Sequence, residues 1–320
     1  MIRRSSYGRA WLLKLLPLAC ILPTARADAQ APAFITAWGS FGAAPGQFDA
    51  PIALAPDAAG NVFVVDQHNL RIQKFTGDGV FISQWGGSGT GHGQFLNPIS
   101  VAVDVRGDVY VSDSGRCLIQ KFSNTGDYIA EWGSRGPGND QFHGTSWAIG
   151  VDRQGDVFVD DYPDSILKFT DAGTYLGRFG GPSVNGIAVT AGGDVYAVPG
   201  VTGCVDKYTD GARFPIVPTS CDATVVTGPV RVAVDSFANI YVDEYYAERV
   251  VVFNSADIQF VQWGSHGTGY GQFNHPIGIA LDNVGNVYVA DTSNNRIEKF
   301  GQVPTPTIST SWGRLKVVYR

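Results

Sequence analysis

The stretch GNVYVADTSNNRIEKF, residues 285–300, is the last of six copies of one pattern. Val287 and Val289 alternate with Tyr288 and Ala290, Asp291–Asn295 supply a polar turn, and Ile297–Phe300 begin a second strand. GNVFVVDQHNLRIQKF (60–75) and GDVYVSDSGRCLIQKF (107–122) repeat it closely, and looser copies begin at residues 155, 193 and 238. Aligned on the residue before the aliphatic–aromatic pair, the copies start at Asn61, Asp108, Asp156, Asp194, Asn239 and Asn286, at intervals of 47, 48, 38, 45 and 47 residues. One supersecondary unit recurring at that period predicts a propeller or solenoid, because such a unit cannot bury its faces alone.

Each unit holds four strand-like stretches. A GQF linker (46–48, 93–95, 271–273, with DQF at 140–142) precedes an almost wholly apolar strand such as GIALD. The hairpin follows, and then a stretch ending in Trp-Gly or Phe-Gly, as in VFISQWG. A strand apolar on both faces is expected innermost. Phe48, Phe95, Phe142 and Phe273 are expected to fill the seams between units, and linker glycines such as Gly86, Gly89 and Gly264 to permit positive φ. The predicted fold is all-β: a six-bladed β-propeller of four-stranded antiparallel blades, with short protected sheet edges. FITAWGSFGAAPGQF (34–48) has the order of an outer strand plus its linker, so the N-terminal strand is expected to complete the sixth blade. ISTSWG (308–313) competes for that place, but RLKVVYR after it is not a linker.

The pattern GQF…P.GIA.D..GNVYVAD..N.RI.KF resembles the NHL repeat, over about residues 34–300 and most clearly in units one, two and six. Unit four departs most, with Thr190 at the usual Asp position and Pro199 where the second strand usually ends in Asp, while unit five has Glu244 there.

The first 27 residues read as a secretory signal peptide: Arg3, Arg4 and Arg9, then WLLKLLPLACILPTA, then a cleavage site at Ala27, with Ala29 as a second choice. The protein is therefore expected outside the cytoplasm, as a secreted, periplasmic or cell-surface monomer without a transmembrane span. Pro17 and the short apolar run argue against lipid anchoring at Cys20. Removing the leader removes five positive charges, so the formal charge goes from −6 to −11. That acidity disfavours nucleic acid as a partner. Cys204 and Cys221 could pair across a short loop, worth about 3 kcal/mol in the chain-entropy account, leaving Cys117 over; the alternative is three thiols. Residues 301–320 form a separate tail, a Pro/Thr spacer followed by Arg314, Lys316 and Arg320, which suits a sorting tag or an extra edge strand.

A four-stranded meander brings the inter-blade linkers and the turns between second and third strands to one face. His92, His143, His266 and His275 lie in or beside the former and His68 in the latter, so all five histidines are expected on that face. His143 and His275, next to innermost strands, are the candidate Zn²⁺ ligands. Asp66, Asp113, Asp161, Glu244 and Asp291 end the second strands as a broken carboxylate ring that could take Ca²⁺ or a cationic ligand. Their recurrence, with Arg71, Arg249 and Arg296 five residues after three of them, favours a structural role.

Function is better sought where a blade breaks its own pattern. One innermost-strand position reads Ala53, Ser100, Ala148, Gly186, Arg231 and Gly278, which packing alone does not require. Arg231 should project to the channel mouth and hold a carboxylate or phosphate, or else pair with Asp243 or Glu244. Trp147, replacing Ile52, Ile99 and Ile277, and Tyr162, Tyr245 and Tyr246 in turns on that face suit peptide or sugar contacts. There is no P-loop, HExxH, paired-Cys zinc spacing or nucleophile elbow.

The NHL resemblance implies a binding or sensor scaffold presenting its channel-mouth face to a protein, peptide or glycan. More loosely it extends to Zn²⁺-dependent propeller lyases and Ca²⁺-dependent lactonases, whose catalytic motifs this chain does not match, so the alternative is a metal-dependent lyase or hydrolase. RNA-binding and ubiquitin-ligase relatives fit poorly, because the chain is acidic and has no RING.

Overall fold

A computed structural model describes residues 30–319, except 144–147, 162–164, 181–183, 200–204, 218–227, 255–258, 304–305 and 312–313. Alternating apolar residues and turn punctuation produce six four-stranded antiparallel sheets, each hydrogen-bonded in chain order. Blade 1, for instance, comprises Pro51–Pro56, Val62–Asp66, Arg71–Phe75 and Phe81–Gly86. No helix among the described residues is long and apolar enough to cross a membrane.

The ring closes as expected from the N-terminus. Phe34–Trp38 lies antiparallel to Arg296–Phe300, with Thr36 opposite Lys299 and Trp38 opposite Ile297, and so forms the fourth strand of blade 6. The competing C-terminal stretch pairs within its own hairpin, Pro306–Ser311 against Arg314–Tyr319. Pro306 and Thr307, read from sequence as spacer, are part of that first strand.

Burial peaks in the middle of each blade. The second strands of blades 1, 2, 3, 5 and 6 are buried at all five positions, whereas the first strands keep half-buried residues because one edge faces the channel. Fourth strands such as Phe81–Gly86 alternate half-buried with exposed. The linker phenylalanines fill the seams: Phe48, Phe95, Phe142 and Phe273 are fully buried. Each ring meets a third-strand Phe, at centroid distances of 5.5 Å for Phe48–Phe75 and 5.9 Å for Phe95–Phe122. Gly264, at φ +108°, lets the linker pass, since a Cβ there would stand 2.7 Å from the Phe273 ring.

The recurring Trp-Gly ending also acquires a cause. Trp38, Trp85 and Trp132 lie over Gly79, Gly126 and Gly173, the positive-φ glycines in the next blade's outer turn, where any Cβ would meet the indole at 2.6 Å. At these three seams one blade thus clamps the turn of the next.

The clasp predicts a test. Starting the chain at Ser40 removes the strand that covers one edge of Arg296–Phe300 and deletes Trp38 from the seam. The shortened protein is expected to unfold at a midpoint well below that of a Phe122→Ala variant, itself destabilised by about 3–5 kcal/mol. Denaturant unfolding of the two would decide it; equal midpoints would show that the clasp carries no more than one seam residue.

Candidate functional site

Glu244 and the equivalent carboxylates are buried turn anchors. Asp66 accepts from Arg71 Nε at 2.7 Å and Asp291 from Arg296 Nε at 2.8 Å, and Glu244 pairs with Arg249. The guanidinium groups also bind linker carbonyls, as Arg296 does with Thr268 at 2.7 Å, so these pairs tie the hairpin turn to the linker. Asp49, Asn97, His143 and Asn274 each donate a backbone N–H to the same carboxylates.

Of the metal candidates, His143 Nδ1 lies 2.8 Å from Asp161 Oδ2, and His275 packs its ring on Tyr245 at 4.5 Å. The remaining histidines sit beside acids of their own: Asp49 for His68, Glu131 for His92 and Glu248 for His266. Among the described residues no three His, Cys, Asp or Glu side chains converge on a point that could hold a metal ion. Tyr245 also meets Tyr246 edge-on at 5.0 Å, and Tyr246 is exposed. Trp147, Tyr162, Cys204 and Cys221 lie outside the described residues. Cys117 is a free, half-buried thiol.

Arg231 does reach into the channel, but for a structural purpose. Its Nη1 donates to Asn185 O at 2.7 Å in blade 4, its Nη2 to Ile99 O at 3.2 Å in blade 2, and its own N–H to Asp243 Oδ1 at 2.6 Å. The guanidinium therefore spans the channel near the histidine face. Gly186 lets the blade-5 strand come close: a Cβ there would stand 2.6 Å from Val230 O and 2.8 Å from Arg231 Cα.

Around this plug lies buried charge. Asp160 and Asp243 are almost fully buried, and Arg231 Nε, Asp160 Oδ2 and Asp243 Oδ2 have no hydrogen-bond partner among the described residues. A cavity of about 60 Å³ beside Arg231, lined by Ser100, Ile149 and Ile187 among others, has room for water to serve such atoms. Burial pushes the Asp160 carboxyl up to about 8, with Asp161 adding to it against the pull of the Val184 N–H and Arg231. Burial also raises Asp243 to about 7, offset in part by the Arg231 N–H and charge.

The opposite face of the disc carries an opening of its own. There the channel widens into a bowl of about 550 Å³ between blades 1, 2, 5 and 6. Val103, Val234 and Leu281, at the ends of innermost strands, form its wall. Val105, Phe237 and Val284 stand on its rim, 61, 62 and 64% exposed. Asp57, Asp104, Asp235 and Asp282 line it, each capping its own turn, as when Asp235 Oδ1 accepts from Phe237 N and Asn239 N at 2.8 Å. Hydrogen bonds from Asn61, Asn124 and Arg106 hold Asp57 and Asp104 below the ordinary carboxylate value despite the opposing effect of burial, which is the largest single influence on each. Sequence reading placed the site on the histidine face and missed this bowl. The available signal was an apolar residue inside turns that are otherwise polar: DVRGD, DSFAN and DNVGN.

Comparison with known proteins agrees with the architecture. The NHL repeat family matches residues 95–122 and 273–300. No curated protein matches the chain significantly. Among solved structures, a streptogramin B lyase superposes with a TM-score of 0.59 at 14% identity, over 81% of this chain and 95% of that one. A virginiamycin B lyase from Staphylococcus aureus gives 0.57 at 13% over 83% and 95%, and a luciferin-regenerating enzyme 0.57 at 12% over 80% and 92%. At such identities the likeness is one of fold, which many functions share.

The buried acids set a pH dependence. In the unfolded chain Asp160 and Asp243 titrate near 3.8, so between that pH and about 7–8 the folded protein holds protons that the unfolded chain has released. Stability is then greatest below about pH 4 as far as these groups are concerned, and falls as pH rises through 7–8. Thermal midpoints measured from pH 5 to 9 are expected to decline less steeply in Asp160→Asn than in the parent. Parallel curves would remove Asp160 as the cause.

Proposed function

We propose that this chain, an NHL-repeat protein folded as a six-bladed propeller, is an extracytoplasmic binding scaffold whose ligand sits in the bowl at the channel mouth opposite the histidines. The observation that carries this reading is the bowl itself. A volume of about 550 Å³ lies in the range of ligand sites, and three exposed apolar side chains share its rim. The leader-like first 27 residues support a location outside the cytoplasm. A peptide or protein segment suits the shape better than a compact substrate, because the bowl is wide and its rim is apolar on three blades. The solved lyases share the fold, but the five histidines engage five separate neighbours, Asp49, Glu131, Asp161, Tyr245 and Glu248, which favours binding over metal-assisted chemistry.

The test is a thermal-shift screen of the mature chain, residues 28–320, against peptide and oligosaccharide collections. Hits are expected to vanish in Phe237→Asp and Val105→Asp and to survive Tyr246→Ser on the other face. Hits that Tyr246→Ser abolishes and Phe237→Asp leaves intact would move the site to the histidine face.

A further inference from the structure

Arg231 brings a positive charge into the channel with no ion-pair partner among the described residues. Its Nη1 and Nη2 donate to the neutral carbonyls of Asn185 and Ile99, and its Nε is closed to solvent with no partner among the described residues. Burial pulls this guanidinium below its ordinary value, against the opposing charges of Asp243 and Asp160. An arginine nevertheless keeps its proton, and a buried charge without a counter-ion is costly.

Neither acid is placed to neutralise it. Asp243 accepts from the backbone N–H of Arg231 at 2.6 Å, and Asp160 from the Val184 N–H of blade 4. Burial raises them to about 7 and about 8, so below neutral pH both are mostly uncharged and the guanidinium stands alone.

The cavity of about 60 Å³ adjoins this group. Val101, Val232 and Ile279 in its wall belong to strands that end two residues later in Val103, Val234 and Leu281 of the bowl. The cavity therefore lies along the channel between Arg231 and the bowl. No acid lines it, and its polar side chains are Arg231 and Ser100. Ser100 Oγ accepts from Ile149 N at 3.4 Å, which leaves the hydroxyl proton to donate elsewhere. A water molecule there would accept from both donors and find no side chain to take its own protons. A small anion uses both donors in full, and the apolar remainder of the wall suits one that sheds its hydration easily.

We infer that the channel beside Arg231 is an anion site, which holds a halide such as chloride served by Arg231 Nε and the Ser100 hydroxyl. The ion supplies the counter-charge that the protein does not, and it enters from the bowl because the guanidinium closes the other end. The site is independent of what the bowl itself binds.

The experiment melts the mature chain at pH 6 in sodium gluconate, replaced stepwise by sodium chloride at constant ionic strength. A ligand of the folded state stabilises it by mass action, so the midpoint is expected to climb with chloride and level off several degrees higher as the site fills. Bromide is expected to act in the same way. Ser100→Ala, which keeps the charge and loses one donor, is expected to need about fivefold more chloride for the same rise. Arg231→Gln is expected to show no rise. A flat response in the parent overturns the site, and a rise that both variants leave unchanged places the anion elsewhere and overturns it too. Formate acting at lower concentration than chloride overturns the halide in favour of a carboxylate. Should Arg231→Gln not fold, Ser100→Ala and crystals of the parent grown with bromide decide the matter. An anomalous peak beside Arg231 is expected there, and water alone in its place overturns the inference. A bromide peak without any chloride response in solution marks an adventitious ion only, and overturns it as well.

Discussion

Everything in this molecule depends on the fact that each sheet has two apolar faces and no means of covering them by itself. Val62–Asp66 can be buried at all five positions only because blade 6 lies on one side and blade 2 on the other. The seams are therefore the core, and the aromatic residues that fill them are chosen by seam geometry. Phe48 against Phe75 and Trp38 over Gly79 are parts of one joint, repeated with little change around the disc. Because the requirement is cyclic, an open array would leave two apolar faces in water. The strand Phe34–Trp38 removes that possibility by hydrogen-bonding the end of the propeller to its beginning.

A requirement repeated six times is conspicuous in a sequence, which is why the architecture was legible. Blade count, strand order, the seam phenylalanines and the N-terminal closure all follow from residues that recur. Side-chain destinations were less legible. Arg231 was the odd residue at its position, but only coordinates show its guanidinium bonding to carbonyls of blades 2 and 4, and Gly186 letting its strand come close. For Glu244 the recurrence with an Arg five residues on favoured structure over a ligand contact, and the turn–linker tie that it makes with Arg249 is the same one that Asp66 and Asp291 make elsewhere. The bowl escaped notice because Val105, Phe237 and Val284 are single residues in separate turns, and nothing in a linear chain says that they stand together.

Departures from the repeat carry different meanings, and burial sorts them. Arg231 departs inward, into a channel that its guanidinium spans, and the result is a closed mouth surrounded by acids that burial keeps protonated to unusually high pH. Val252 departs at a position where five other blades place a lysine ammonium over the second-strand ring, and its surroundings depart with it: Asn239 stands where Asp108, Asp156 and Asp194 stand, and Val303 where Asp78 stands. A substitution answered by its surroundings maintains the fold.

The clasp also fixes when the molecule can become itself. Thr36 and Lys299 are paired, yet nearly the whole chain separates them, so their contact is among the most remote that the fold contains. Blades 1 to 5 can form as they emerge, since each contacts its predecessor, but the first strand stays without a partner until the sixth hairpin has been made. For that interval an edge able to pair with another chain is exposed at each end of the growing array. Completion is therefore an event of the last few dozen residues, and any factor that shields the N-terminal strand would act over the whole time of synthesis rather than after it.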